Sequence, residues 1–323
     1  EKRRGESRRY KIICRKGSYH GSTALTLWLG SSPNNPDYEP MYPGILHAPQ
    51  PNPYRCECGA SDPEECAYRC AKAVEDLILF HGPETVCAFI GEPIAAPPGV
   101  AIPGDAYWPM IREICNKYGV VMIVDEVICG FGRTGKMFGM ENFGVVPDII
   151  TIAKGMTSGY VPMGAAIASK EIADVFIGDE DKSFGHIFTY GGQPIAAAAA
   201  LKNIEILERE HLVDNADEMG VYLLKRFEEL KERHVIIGDV RGRGLLIALD
   251  IVKDQETKER WPNEAKLRER FRSKFTNNGV WLRGSDPIIL TPPLCISLSE
   301  CDDLVEITHR VLSDVEKELG AYE

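Results

Sequence analysis

The sequence predicts an α/β fold with a mainly parallel central sheet and a smaller C-terminal α+β domain. Over the first two thirds of the chain, short apolar strands alternate with helices and long loops. Some strands are continuous apolar runs, such as VVMIV at 120–124, which is typical of strands buried on both faces of a parallel sheet. Charged helices and short strands follow from about residue 210, so we expect domains at 1–209 and 210–323.

The individual elements follow from local patterns. A strand is expected at 11–14, and a long loop at 31–62, where Pro, Asn and Gly are frequent. A helix is expected from Asp62, which serves as its N-cap, with Pro63 in the first turn. The other expected strands are 86–90, 120–124, 148–153, 164–168 and 244–250, and the other expected helices are 107–118, 194–211, 213–233, 263–277 and 299–319.

The composition argues against nucleic-acid and membrane partners. The 323-residue chain has a formal net charge of −11, and its basic cluster is confined to 2–9, whereas nucleic-acid-binding proteins present a basic stripe. No apolar run approaches the roughly 20 residues that cross a bilayer. Ten irregularly spaced cysteines and the lack of a secretory signal favour reduced thiols, so we expect a cytoplasmic protein.

Polar side chains follow three of the predicted strands, namely Glu92, Asp125 and Lys154. The carboxyl ends of strands in such a sheet open into a crevice where ligands bind. An isolated aspartate there is normally a helix cap or part of an ion pair. Pyridoxal phosphate, however, needs a lysine, a carboxylate facing the pyridine nitrogen, phosphate donors and an apolar sandwich. The combination of Asp125 and Lys154, with Gly155 after the lysine, therefore predicts a pyridoxal-phosphate site.

The chain also resembles the class III aminotransferases, a fold-type-I group that includes the ω-transaminases. The resemblance is most specific over 124–169, VDEVICGFGRTGKMFGMENFGVVPDIITIAKGMTSGYVPMGAAIAS. It extends over nearly the whole chain and implies pyridoxal 5′-phosphate as cofactor, with an amine and a keto acid as substrates. Further similar segments are SYHGST at 18–23, GEP at 91–93, PGVAIP at 98–103, HIFTYGGQPIAAAAAL at 186–201, and Arg283 with TPPL at 291–294.

The resemblance implies roles for residues around the cofactor ring. Lys154 would form the Schiff base and later move the proton between the substrate and the cofactor. Asp125 would keep the pyridine nitrogen protonated, which makes the ring an electron sink. Val127 and Tyr19 would enclose the ring, and Glu92 would order the site at its edge.

The resemblance also implies a homodimer with a shared active site. Thr189 would donate to the cofactor phosphate of the partner subunit. Arg283 would bind the substrate carboxylate next to Tyr19, because a guanidinium matches a carboxylate bidentately. Arg133 is the alternative carboxylate partner, although a structural ion pair is equally compatible with its position.

Two departures from the family pattern bear on function. Relatives begin earlier and carry a glycine–serine turn that holds the phosphate, so this chain is expected to be N-terminally incomplete. Ile128 stands where the ornithine and 4-aminobutyrate subgroup has a glutamine, and no acidic residue follows Glu92 where that subgroup has one. These differences favour the branch that uses pyruvate.

Other reactions and motifs remain as alternatives. The same residues could serve a racemase, an aminomutase or a decarboxylase, and a non-catalytic cofactor-binding sensor is a further possibility. The glycines of 130–135 imitate a dinucleotide fingerprint, but a lone match is weak. His20 is expected to be a hydrogen-bonded structural residue.

Four cysteines, Cys56, Cys58, Cys66 and Cys70, are close in sequence. Their C-x-C-x7-C-x3-C spacing is unusual for structural zinc. We therefore expect free thiols and no metal.

Overall fold

The computed structural model describes residues 1–30, 35–179, 182–282 and 287–321. The chain forms two compact units, one of Glu1–Gly130 with Phe138–Ile206 and the other of Phe131–Met137 with Leu207–Glu323. The domain limits expected from the sequence, 1–209 and 210–323, stay a prediction.

A six-stranded sheet organises the first unit, in the order β2-β1-β3-β4-β5-β6. The five strands from β2 to β5 in this order are parallel, and β6 runs antiparallel to β5. This arrangement confirms the mainly parallel sheet. The strands are β1 Lys11–Arg15, β2 Ile45–Ala48, β3 Val86–Gly91, β4 Val121–Asp125, β5 Ile149–Ile152 and β6 Ala165–Ala168.

The helices of this unit begin where the sequence offers caps. Asp62 accepts hydrogen bonds from the backbone N–H groups of Glu64 and Glu65, both at 2.9 Å, as an N-cap does. Gly119 ends another helix in the left-handed conformation. The helices are α1 Ala24–Leu29, α2 Pro63–His81, α3 Tyr107–Tyr118, α4 Lys170–Asp174 and α5 Pro194–Arg209, the last of which continues to the start of the second unit.

Successive strand residues are buried on opposite faces of the large sheet. Phe89 packs against Trp108 of α3, with ring centroids 6.1 Å apart. Its neighbour Ile90 belongs to a separate cluster with Trp28 and Leu29 of α1. Because both faces of the central strands β3 and β4 are covered, these strands need apolar residues at nearly every position, which explains their continuous apolar runs.

The second unit has a three-stranded antiparallel sheet and one hydrophobic core. Ser297 and Glu300 form a capping box at the start of its last helix. The strands are β7 Ile237–Arg243, β8 Leu246–Ile251 and β9 Ile288–Leu290, and the helices are α6 Leu212–Lys231, α7 Leu267–Asn277 and α8 Leu298–Leu319.

The expected helix at 263–277 begins only at Leu267, after a short 3-10 helix, and the expected strand at 244–250 begins at Leu246. The expectation of a long loop over 31–62 is wrong. The segment 31–62 is not a continuous loop, because β2 lies within it and pairs in parallel with β1. Its four residues are too few to show a strand pattern among the surrounding prolines and glycines. Among the described helices, none combines the length and hydropathy needed to cross a membrane.

Candidate active site

The strand-end residues expected from the sequence lie at one edge of the large sheet. Gly91 pairs with Val124, so Glu92 and Asp125 leave their neighbouring strands at the same level. Asp125 in turn pairs with Thr151 of β5. Lys154 follows three positions later, at the same carboxyl edge, so parallel pairing brings the three positions to one part of the sheet.

Asp125 is a buried carboxylate with two fixed hydrogen bonds. Its Oδ2 lies 2.7 Å from Nδ1 of His20, and its Oδ1 accepts a 3.0 Å hydrogen bond from the backbone N–H of Val127. Because a buried carboxylate needs hydrogen bonds to offset its burial, these two bonds hold Asp125 in a fixed orientation at the carboxyl edge of the sheet.

Glu92 holds the loop that carries Tyr19 and His20. Its Oε2 accepts 3.0 Å hydrogen bonds from Ser18 Oγ and Arg15 Nη2, and its Oε1 accepts a 3.1 Å bond from the backbone N–H of Tyr19. Arg15 is fully buried, with its guanidinium carbon 5.4 Å from a Trp108 ring centroid. The Arg15–Glu92 pair therefore fixes the backbone next to His20.

His20 connects the two acidic residues. While Nδ1 contacts Asp125, Nε2 lies 3.9 Å from Oε2 of Glu92 and has no hydrogen-bond partner among the residues that the structure describes. The hydrogen bond expected for His20 is thus present, although its partner could not be predicted from the sequence. Arg15 was missed altogether, although a charged residue that ends an apolar strand at this edge was a usable signal.

Lys154 has an unusual backbone conformation. It begins a short 3-10 helix, Lys154–Met156, with φ of +41°, in the left-handed region that non-glycine residues rarely adopt. Such conformations cost on the order of 1–3 kcal/mol and concentrate at functional sites. Asn203 of α5 supports this turn by donating to the carbonyls of Gly155 at 2.9 Å and Met156 at 3.1 Å.

Glu126 has a structural role distinct from that of its neighbour Asp125. Its two carboxylate oxygens each accept a 2.8 Å hydrogen bond, from the backbone N–H groups of Gly139 and Met140. Burial raises the pKa of Glu126 to about 7, and these two N–H groups oppose the shift. Gly139 is required here, since a Cβ would come within 2.8 Å of the Cys129 side chain.

The remaining candidates differ in exposure. Val127 is partly buried, the Tyr19 side chain is half-exposed, and Thr189 is exposed. Arg283 lies outside the described residues. The structure does not bring Thr189 into the hydrogen-bonded group around Asp125, and its expected partner is another subunit.

Arg133 and the glycine-rich motif have structural explanations. Nη1 of Arg133 donates to the carbonyls of Leu245 at 2.9 Å and Pro292 at 2.6 Å, within the second unit. Turns, rather than a helix, follow the glycines of 130–135. A dinucleotide site of the strand–glycine–helix type is therefore not formed there.

The side chains at this edge fit pyridoxal phosphate. Asp125 is a buried carboxylate suited to the pyridine nitrogen, Lys154 has an amine of the kind that a Schiff base requires, and Tyr19 has an accessible aromatic ring. A mainly parallel sheet that carries these groups at its carboxyl edge defines the class of pyridoxal-phosphate-dependent enzymes of fold type I.

Comparison with known proteins specifies the family. The family model described as Aminotransferase class-III matches residues 1–312, and the chain belongs to this family. Its members use pyridoxal phosphate. The putrescine–pyruvate aminotransferase of Pseudomonas aeruginosa is 41% identical over 314 residues, which cover 96% of this chain and 67% of that protein.

Solved structures agree with this family. An (S)-enantioselective ω-transaminase from Thermomicrobium roseum has a TM-score of 0.92 at 42% identity, covering 97% of this chain and 70% of that one. An amine transaminase from an uncultivated Pseudomonas species, described as PLP-bound, has a TM-score of 0.92 at 34% identity, covering 97% of this chain and 71% of that one.

Proposed function

We propose that this aminotransferase moves an amino group from an amine or ω-amino acid to pyruvate by a ping-pong mechanism. The observation that carries the proposal is the buried Asp125 carboxylate at the same sheet edge as Lys154. When bound, pyridoxal phosphate withdraws electrons from the bonds at the carbon that bears the amino group.

The proposed roles follow from what each side chain can do. Lys154 would hold the cofactor through its amine, and its Nζ would move the proton at the substrate carbon. Asp125 keeps a proton on the pyridine nitrogen. His20 and the backbone N–H of Val127 hold the two carboxylate oxygens of Asp125. The carboxylate is therefore already oriented before the reaction begins.

Other side chains are proposed to contact the cofactor ring and the substrate. Tyr19 and Val127 enclose the ring, and Glu92 orders the Tyr19 loop through the hydrogen bonds described above. Arg283 binds the substrate carboxylate. A reducing compartment such as the cytoplasm is part of the proposal, and it is supported by ten cysteines that form no disulfide.

The proposed acceptor is pyruvate rather than 2-oxoglutarate. Ile128 replaces the glutamine of the subgroup that uses 2-oxoglutarate, and the relative from Pseudomonas aeruginosa is named for pyruvate. Binding the second carboxylate of 2-oxoglutarate requires another cation, and a buried charge left unpaired costs roughly 2–5 kcal/mol.

The acceptor prediction is tested by pairing one amine donor with each keto acid. We expect kcat/KM for pyruvate to exceed that for 2-oxoglutarate by at least about tenfold, since 1.4 kcal/mol corresponds to a factor of ten. Arg283→Ala is expected to impair keto-acid turnover and to spare the half-reaction of a simple amine. Equal or better use of 2-oxoglutarate would contradict the acceptor while leaving the aminotransferase assignment intact.

We also propose a homodimer in which Thr189 reaches the cofactor phosphate of the partner subunit. Large apolar side chains are exposed along 160–201, more than a monomer normally presents in one segment. All four residues of β6 are exposed as well. The exposed apolar residues are Tyr160, Ile167, Ile177, Phe184, Ile187, Phe188, Tyr190, Ile195 and Leu201.

The dimer prediction compares two exposed apolar residues. Ile187 is 91% exposed within this segment, and Val146 is 82% exposed outside it. We expect Ile187→Asp to shift the mass measured by light scattering at micromolar concentration toward the monomer, because a charge would be buried in the interface. Val146→Asp should remain dimeric. An active parental monomer at this concentration would contradict the shared site.

A further inference from the structure

Four cysteines converge at the start of α2. Cys66 and Cys70 lie one turn apart on this helix, and both are fully buried. Cys56 and Cys58 precede the helix and are partly buried. The sequence spacing hides this arrangement, because the turn between the two pairs folds the first pair back onto the helix.

Three of the sulfurs form a compact group, and the fourth, that of Cys58, adjoins it through Cys70. Sγ of Cys70 lies 3.7 Å from Sγ of Cys58 and 4.0 Å from Sγ of Cys66. The sulfurs of Cys56, Cys66 and Cys70 all lie within 4.8 Å of one another. With Zn–S bonds of about 2.3 Å, the sulfurs of a tetrahedral site are about 3.8 Å apart.

Two further features separate this group from ordinary buried thiols. Within the described ranges, Cys56, Cys66 and Cys70 are the one group of three or more His, Cys, Asp or Glu whose ligand atoms approach so closely. The backbone N–H groups of Cys58 and Ala60 are also directed at the Cys56 sulfur. Donors of this kind orient and stabilise thiolate ligands around a metal.

The backbone that carries the cysteines is held in place. Nη1 of Arg69 on α2 donates to the carbonyl of Cys58 at 2.9 Å, and the N–H of Gly59 donates to the carbonyl of Cys56 at 3.0 Å. The Asp62 side chain caps the helix between the two cysteine pairs. A ligand set on a fixed frame loses little entropy when it binds an ion.

We propose that Cys56, Cys58, Cys66 and Cys70 bind one structural zinc ion. The geometry thus leads to the opposite of the expectation from spacing alone. Zn²⁺ replaces four S–H protons, which are released to solvent, and no electron is transferred. Because four thiolates close the coordination sphere and leave no position for substrate, the ion fastens the turn to α2 and takes no part in turnover.

The test measures zinc in the full chain purified with its pyridoxal phosphate and with reduced thiols. Cys70→Ser removes the central ligand, and Cys56→Ser removes a partly buried one in case the first variant does not fold. Cys115→Ser is the matched control, since Cys115 is fully buried on α3 and lies outside the cluster. Zinc per chain is determined by elemental mass spectrometry, and Co²⁺ substitution reports thiolate coordination by its charge-transfer absorption.

We expect about one zinc per chain in the parent and in Cys115→Ser, and at least a tenfold lower content in both cluster variants. A chelator should lower the melting temperature of the parent and leave that of the variants unchanged, since metal binding contributes to folding. The proposal would be overturned if the parent protein bound no zinc after Zn²⁺ addition, or if both cluster variants retained zinc. Disulfides within the cluster, detected by mass, would overturn it too. The cofactor absorbance is recorded in parallel, so failure of the zinc site is distinguishable from failure of the proposed enzyme site.

Discussion

Lys154→Ala is expected to abolish both transamination and the yellow colour of the protein. The substitution removes the only amine proposed to carry the cofactor and the group proposed to move the substrate proton. General acid–base catalysis alone contributes about 10²–10⁴-fold, so we expect kcat to fall by roughly 10⁴-fold or more. The measurements are steady-state transamination with pyruvate and the absorbance of the protonated Schiff base.

Borohydride reduction identifies the modified lysine directly, because it fixes the cofactor onto the residue that carries it. Peptide mapping should place the label on Lys154. Lys170→Ala is the matched control, because Lys170 belongs to the same unit and pairs with Asp174 at the surface. This control should keep its colour and activity. A label on any other lysine of the parent protein would show that Lys154 has been assigned wrongly.

The sequence predicts elements well where local signals mark both ends. The helix α3 has the predicted bounds, and its end is fixed by Gly119, whose positive φ stops a helix. In contrast, β2 exists only through pairing with β1, about thirty residues earlier, and four residues carry little local signal. The antiparallel direction of β6 likewise depends on pairing with β5, which composition does not encode.

The residues of the candidate site likewise include some that the sequence predicts and others that only the fold reveals. Glu92, Asp125 and Lys154 could be found because each directly follows an apolar strand. The partners that hold them could not, because His20 is 105 positions from Asp125 and Arg15 is 77 from Glu92. Only the register of the parallel strands brings these residues together. The cysteine cluster illustrates the converse, since the fold brings its sulfurs close together although their spacing in the sequence argued against a metal site.

Asp125→Asn is expected to leave the fold intact and to remove most of the turnover. The amide is nearly isosteric and can still accept from the backbone N–H of Val127, so the loop after β4 should keep its position. A neutral amide cannot stabilise the protonated pyridine nitrogen, and the substrate carbanion then loses its electron sink. We expect kcat to fall by about 10²–10⁴-fold, in the range lost with a single preorganised electrostatic or proton-transfer group.

A KM-against-kcat comparison separates this role from a structural one. Asp125 is proposed to contact the cofactor and not the amine, so KM for the amine should change far less than kcat. Asp148→Asn is the matched control, because Asp148 directly precedes β5 at the opposite edge of the sheet and pairs with Arg112 at 3.0 Å. That variant should lose stability, measured by its melting temperature, and retain kcat. If Asp125→Asn turned over at a near-normal rate while Lys154 still carried the cofactor, the carboxylate would not act at the pyridine nitrogen, and its burial beside His20 would need a purely structural explanation.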